Sequence, residues 1–450
     1  MIIKTIKRTF VCVLAFSALL VSGQEVIQDT MYFSLKQAME YAMENNLNAE
    51  NSRLDVDIAD QRVWETAASG LPQVNASVNY NYNINLATTL IPDFLGNPAD
   101  KIEVQFGTKH FATAGLVGNQ LVFSGQYIVG LQAARIFKEF SRKNNERTEQ
   151  EVRQTVMQNY YLVLLGESTL ETLYENLKNV RSVYDETRQL YEAGFLEEID
   201  ADQLEVSLLR LDNSVLSMER QVMASRNLLK YQMGIDRNQA IGLTDSLRTM
   251  VAELDIDGSL QANLVLEENI NYQLLNEQER LAYMDMKLKK AEYLPSLSAF
   301  YSMDFTAQRD EFSFFQQDEN WYRASVVGLS FSIPIFSSGG RRAGVSQKRI
   351  AFEQARNNKD FAAEGLEVEF IQAKFDFASA LEKFRSDQKN LELSGKVVRV
   401  TKVKYEEGLV SSLELTQIND QYLQTLSSYT SSMVELLNSK IKIDLLLNKI

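Results

Sequence analysis

The sequence predicts a mainly α chain with membrane β: duplicated long antiparallel helical hairpins plus four β-strands per chain. Three observations lead there. Landmarks recur in the same order at equal spacing. Prolines avoid two very long tracts of heptad-like apolar spacing. Short stretches beside those prolines alternate apolar and polar with period 2.

The duplication comes first, because it organises everything else. Leu71-Pro72 returns as Leu294-Pro295, Phe123-Ser124-Gly125 as Phe336-Ser337-Ser338-Gly339, and Tyr191-Glu192-Ala193-Gly194 as Tyr405-Glu406-Glu407-Gly408. Gly125 to Gly194 spans 69 residues, and so does Gly339 to Gly408. Such a fixed period marks an internal repeat. We place the first repeat at 24–234, a linker at 235–258 and the second repeat at 259–450.

The five prolines lie at 72, 92, 98, 295 and 334. Proline breaks helix interiors, so the tracts after 125 and after 334 are free to be long helices. Leu170, Leu173, Leu177, Val180, Tyr184, Thr187 and Tyr191 step by three and four, as do Leu204, Leu208, Leu211, Val215, Met218, Val222, Ser225 and Leu229. Coiled coils and ordinary bundles both use this spacing. Length separates them: a helix over 126–190 is about 98 Å long, too long for a compact domain. Shorter helices are expected at 36–68, 200–233, 260–292 and 413–448, each about 50 Å. Two of these laid end to end match one long helix. Each half is therefore a rod turning at a tip, 191–198 or 405–412, where Gly194 and Gly408 suit a left-handed helix end.

Strands are expected at 73–90, 111–123, 296–305 and 322–335, forming hairpins over 73–123 and 296–335 with long polar loops at 91–110 and 306–321. From Val74 to Leu86 the alternation is strict, and Asn75, Asn79, Asn81, Asn83 and Asn85 fill nearly all of the polar face. A soluble antiparallel sheet and a transmembrane barrel both give this pattern. The rods leave no globular domain to bury a sheet, and ten-residue strands can cross a bilayer. The N-terminus adds to this. Lys4, Lys7 and Arg8 precede the apolar run 10–21, and Val21-Ser22-Gly23 offers a cleavage site, so residues 1–23 read as a signal peptide. Four strands cannot close a barrel, and open edges are not tolerated in lipid. The chain must then share its barrel with other copies.

Composition excludes several classes. A formal charge of −14 argues against nucleic acid. One histidine, His110, and one cysteine, Cys12 within the apolar run, exclude a multi-histidine or thiolate metal site in the exported chain. We expect no cofactor and no catalysis. His110 reads as a solvated loop residue. Trp321 and Tyr322 fit an interfacial aromatic girdle.

The ordered motifs resemble the TolC family of outer-membrane efflux channels over nearly the whole chain. Ser34-Leu-Lys-Gln-Ala-Met-Glu-Tyr-Ala-Met-Glu-Asn-Asn46 resembles its opening helix. Leu71-Pro72 resembles the strand entry, and Phe123-Ser-Gly125 and Phe336-Ser-Ser-Gly-Gly340 the strand-to-helix junctions. Tyr405-Glu-Glu-Gly-Leu-Val-Ser-Ser-Leu-Glu-Leu415 resembles the second tip. The resemblance implies a homotrimer with a 12-stranded β-barrel in outer-membrane lipid of a Gram-negative bacterium, set on an α-helical tunnel in the periplasm. It implies an exit duct for efflux or type I secretion. The partners would be a periplasmic adaptor and an inner-membrane pump of the resistance-nodulation-division or ATP-binding-cassette type. A periplasmic coiled-coil scaffold without a channel is the alternative. The family's inward-facing gate aspartates fall on Glu414 and Gln417 here, so a doubled acidic ring is not expected. The first-repeat counterparts are Asp200 and Gln203, with Asp202 nearby. Glu414 and Asp200 also suit the first turn of a helix, where acids complement the dipole. Adaptor docking falls on Gly194, Phe195, Leu196, Gly408, Leu409, Val410 and Ser411; packing between neighbouring helix ends would use the same residues.

Overall fold

The computed structural model describes residues 30–92, 101–316 and 320–450. The expected signal peptide lies outside the described residues. The chain runs β1 (Met31–Phe33), α1 (Leu35–Asn45), α2 (Leu47–Ala68), β2 (Gln73–Tyr82), β3 (Thr88–Pro92), β4 (Lys101–Gln105) and β5 (His110–Ser124). Next come α3 (Gly125–Glu192), α4 (Glu198–Met233), β6 (Ile241–Leu243), α5 (Leu247–Ala252), α6 (Ile256–Gln261) and a 3-10 turn (Leu266–Glu268). The second half continues with α7 (Ile270–Ala291), β7 (Ser296–Arg309), β8 (Tyr322–Ser332), α8 (Gly340–Glu406) and α9 (Ser412–Leu446).

The rods are as long as the heptad tracts require. α3 has 68 residues and α8 has 67, each about 100 Å. Against α3 pack α2 near the sheet and α4 toward the tip; α7 and α9 do the same for α8. The seam residues Leu177, Leu204, Leu211, Val215, Val222 and Leu229 are buried. Gly166 allows a close approach of α3 to α4, since a Cβ there would lie 2.8 Å from Val222 Cγ2. Charged pairs flank the seam: Arg226 donates to Glu167 at 2.7 and 2.9 Å, and Lys383 meets Glu435 at 2.6 Å.

The first helix is not continuous over 36–68. It breaks at Asn46, whose extended backbone (ψ 125°) ends α1 and caps α2. Its Oδ1 accepts from the amides of Asn48 and Ala49, while Nδ2 donates to Gln232 O at 2.7 Å. Asn269 repeats this arrangement at the head of α7. Oδ1 accepts from Asn271 and Tyr272, and Nδ2 donates to Leu446 O at 2.9 Å. Both asparagines are buried, and each precedes its Leu-Pro landmark by 25 residues. A buried amide that satisfies a helix start with one end and a helix finish with the other locks the shorter helices end to end.

Around these two joints sits the main core, a collar at mid-rod. Tyr160, Phe377, Leu436, Leu437, Ile441 and Ile443 are among its most buried side chains. The segment between the repeats is structured, not a plain linker: β6 pairs in parallel with β1, Met31 opposite Ile241 and Phe33 opposite Leu243. The Tyr160 hydroxyl lies 2.9 Å from Phe33 O and 3.0 Å from Asp245 Oδ2 and shares its one proton between them, and Leu35 N donates to the same carboxylate oxygen (2.7 Å). Burial and the Asp245 carboxylate raise the Tyr160 pKa well above its ordinary value, so the phenol stays a donor.

Four strands form one antiparallel sheet in the order β2-β5-β7-β8. The central pair β5–β7 joins the two repeats, with one irregularity between Leu121 and Phe123. Strand boundaries differ from the sequence reading: β8 stops at Ser332, short of 335, β5 is one residue longer at each end, and the larger changes are in β2 and β7. β2 ends at Tyr82, because β5 begins at His110 and leaves nothing for residues 84–86 to pair with. Asn83 closes the ladder through Lys109 O, and the chain then leaves into a separate hairpin, β3–β4, inside what read as a loop. β7 runs on to Arg309, opposite His110.

Much apolar surface stays uncovered. The accessible area is 29,835 Å², where a compact monomer of this mass exposes about 17,000 Å². Val78 (77% exposed), Val327 (79%) and Leu329 (71%) stand on one face of the sheet. Phe361, Val368 and Phe375 form an exposed row on α8 at seven-residue steps, and Val206, Leu209, Leu216 and Met223 another on α4.

Replacing Tyr160 with Phe leaves the Asp245 carboxylate and the Phe33 carbonyl short of a donor in the core. Stability should fall by about 1–3 kcal/mol, read as an earlier thermal loss of helical circular dichroism. An unchanged midpoint would mean that this tie contributes nothing.

Candidate functional site: the helical tips and the sheet faces

Both tips end their long helix in the same way. Gly194 (φ +80°) and Gly408 (φ +71°) take left-handed conformations. Phe195 N donates to Leu190 O and Gly194 N to Tyr191 O, matched by Leu409 N to Lys404 O and Gly408 N to Tyr405 O, all within 2.9 Å. Crossed bonds of this kind satisfy the last carbonyls of a helix. The turn then throws one apolar side chain into solvent at each tip, Phe195 (78% exposed) and Leu409 (73%), while Leu196 and Val410 are half-buried. Ser411 is exposed and also caps α9, its Oγ accepting from Glu414 N at 3.2 Å.

The acidic residues at the tips separate into two kinds. Glu414, Gln417 and Asp202 are exposed, with Glu414 in the first turn of α9. Asp200 instead faces the other tip of the same chain. The buried Ser412 hydroxyl donates to Asp200 Oδ1 at 2.8 Å, and Gln203 Oε1 lies 3.2 Å away. Proximity in sequence to a tip glycine could not distinguish an acid aimed outward from one aimed at its neighbour.

A second tie lies one turn above. Thr187 Oγ1 donates to Val183 O at 2.8 Å, and the Tyr405 hydroxyl is 2.6 Å from the same Oγ1. The threonine has one proton and has spent it, so Tyr405 is the donor. Burial raises the Tyr405 pKa and keeps that proton in place. Val183, Leu204 and Leu415 form a small core between the two ties, flanked by Tyr184 and Tyr405. The sequence reading missed Thr187–Tyr405 and Ser412, because heptad positions with hydroxyls look like weak seam residues.

At the other end of the molecule the register sorts the sheet into two faces. Val74, Ala76, Val78, Tyr80 and Tyr82 lie opposite Gly118, Leu116, Ala114, Ala112 and His110, and this face continues through Tyr301, Met303 and Phe305 to Val327 and Leu329. Asn75, Ser77, Asn79 and Asn81 share the other face with Gly115, Thr113, Ser302, Thr306 and Ser330. Asn83 and Asn85 lie beyond the end of β2 and do not belong to it.

His110 is not a solvated loop residue. It opens β5 on the apolar face, its Nδ1 lies 2.8 Å from the Tyr80 hydroxyl, and Tyr82, Phe312 and Phe314 pack around the ring. Trp321 packs on Phe314 and donates to its carbonyl. An aromatic cluster at the loop end of an exposed apolar face has the composition of an interfacial belt. No group of three or more acidic, histidine or cysteine side chains suited to a metal ion occurs among the described residues. No described helix is long and apolar enough to cross a membrane.

A family model described as outer membrane efflux protein matches residues 38–234 and 263–449. No curated protein sequence matches the chain. Among solved structures, CusC is 16% identical with a TM-score of 0.72, covering 94% of this chain and 95% of its own. The Campylobacter jejuni outer membrane channel CmeC is 15% identical with a TM-score of 0.73, covering 92% and 85%. The Neisseria gonorrhoeae outer membrane channel MtrE, in an open state, is 14% identical with a TM-score of 0.66, covering 92% and 88%.

Removing either tie should loosen the tips without unfolding the rods. Ser412→Ala and Tyr405→Phe each delete about 1 kcal/mol of hydrogen bonding. Amide exchange across 404–416 should accelerate about five-fold in each, with the collar unchanged. Equal exchange rates in variant and parent would show that the ties do not hold the tips.

Proposed function

Because the chain belongs to the outer membrane efflux protein family, we propose that three copies assemble into an exit duct, a 12-stranded barrel in the outer membrane of a Gram-negative bacterium on a 12-helix periplasmic tunnel. Residues 24–234 and 259–450 supply equivalent halves, joined through 235–258. The observation that carries this reading is the four-stranded sheet. Among the described residues its edge strands β2 and β8 have no outer partner, and its apolar face is uncovered. Joining β8 of one copy to β2 of the next satisfies both edges at once. The exposed rows on α4 and α8 supply the matching seams along the tunnel, since heptad rows pair with heptad rows.

The duct conducts what its partners deliver and performs no chemistry itself. The tips 191–198 and 405–412 form the periplasmic end, where exposed Phe195 and Leu409 offer apolar anchors for a periplasmic adaptor. An inner-membrane pump of the resistance-nodulation-division or ATP-binding-cassette type supplies the energy. Three exposed Glu414 carboxylates would ring the entrance and favour cations. Asp200 plays another part: with Ser412, and with Thr187 and Tyr405 above, it clasps the two tips of each chain and holds the entrance narrow.

Reconstituted protein should migrate as a heat-dissociable trimer and form pores in planar bilayers. Glu414→Ala should widen or depolarise the entrance, raising conductance or lowering cation preference by about two-fold or more. A soluble monomer without pore activity would leave the scaffold reading in place of the duct. Pores indifferent to Glu414→Ala would remove that residue from the gate.

A further inference from the structure

Asp304 is the one charged residue on the asparagine-bearing face of the four-stranded sheet. That face reads Asn75, Ser77, Asn79 and Asn81 on β2, and Phe111, Thr113, Gly115, Val117 and Asn119 on β5. It continues with Phe300, Ser302, Asp304, Thr306 and Gln308 on β7, then Tyr322, Ala324, Val326 and Gly328 on β8. The basic residues of these strands, Arg309 and Arg323, fall on the opposite face, across from His110 and Phe305. The carboxylate also has a place made for it. Its cross-strand neighbours are Gly115 on one side and Ala324 on the other. A Cβ on Gly115 would lie 2.3 Å from Asp304 Oδ1, so the carboxylate rests in the space the glycine leaves bare. An amide face hydrogen-bonds water without adding charge, so a single fixed charge on it sets the sign of the potential by itself.

We propose that Asp304 forms a charge filter inside the barrel, a ring of three carboxylates that favours cationic over anionic solutes. This inference rests on the trimeric duct reading. Twelve strands about 4.8 Å apart and tilted about 40° enclose a backbone radius of about 12 Å. Inward side chains bring three carboxylates to about 8 Å from the axis, within the Debye length of about 10 Å at 0.1 M salt and well beyond the 3 Å at 1 M. The filter therefore acts across the whole lumen at low salt and fades at high salt. It stands more than about 100 Å from the Glu414 entrance, so the two charge effects are independent.

The test is the reversal potential of single pores under a salt gradient. In Asp304→Asn the cation-to-anion permeability ratio should fall by about two-fold or more near 0.1 M and converge on the parent value near 1 M. Asp304→Glu should retain the parent ratio, and Asp304→Asn combined with Glu414→Ala should lower it by the product of the single effects. With Cys12 removed along with the signal peptide, the exported chain has no other cysteine, so Asp304→Cys pores modified in place give a reading free of assembly defects. A negatively charged thiosulfonate should restore cation preference, and a positively charged one should reverse it. Pores whose selectivity ignores both the substitution and the thiol reagents overturn the filter while leaving the duct intact. A parent chain that makes no pores overturns both.

Discussion

Two unpaired sheet edges constrain everything else in this molecule. β2 and β8 each present a row of backbone N–H and C=O groups with no partner among the described residues. In hydrocarbon every such group costs several kcal/mol, and a row of them exceeds any stability a single domain possesses. Water could satisfy the edges, but water would then also meet the exposed valines and leucines of the apolar face. Only closure with further copies removes both penalties. In the proposed assembly, closure in turn dictates the shape below: strands arranged on a circle must feed helices arranged on a circle. That is why α2, α3, α7 and α8 leave the sheet as parallel staves and do not fold back into a globule.

Much of this was legible because it is periodic. The 69-residue repeat, the proline-free tracts and the alternation of β2 are regularities that local chemistry imposes on sequence. What escaped was non-periodic. The break at Asn46 is set by a carbonyl 186 residues away, Gln232 O. Asn46-Leu47-Asn48 and Asn269-Ile270-Asn271 do form a fourth recurring landmark, spaced like the others. Asparagine inside a helical tract reads as a surface residue until its partner is known. The end of β2 escaped for a related reason. Alternation continues through Asn83 and Asn85, but a strand lasts only as long as its neighbour, and β5 starts at His110.

The candidate site divides similarly. The tip glycines and their exposed apolar followers could be named from the chain alone, since positive φ and a helix stop leave a sequence signature. The direction of each acid could not. Asp200 and Glu414 occupy matching places in the two repeats, yet one is bonded to the neighbouring tip and the other is open to solvent. A duplicated scaffold has used one position twice, once to hold and once to face solvent. Asp304 was hidden by the same symmetry-breaking: it sits in the less regular of the two hairpins, where Phe300 disrupts the polar row.

The buried asparagine joints have a mechanical meaning. Each fastens a lower helix at the collar, and α4, with 36 residues, extends about 54 Å from there to its tip. A rod of that length is a lever with high gearing: one degree of tilt at the collar carries the tip by about 1 Å. Hydrogen bonds such as Ser412 to Asp200 tolerate only a few tenths of an ångström of stretch. A rotation too small to disturb packing at the fulcrum is therefore enough to part the clasp. The collar acts as a stiff bearing and the tips as its sensitive pointer, so a modest push on any one tip need not deform the core to displace that tip.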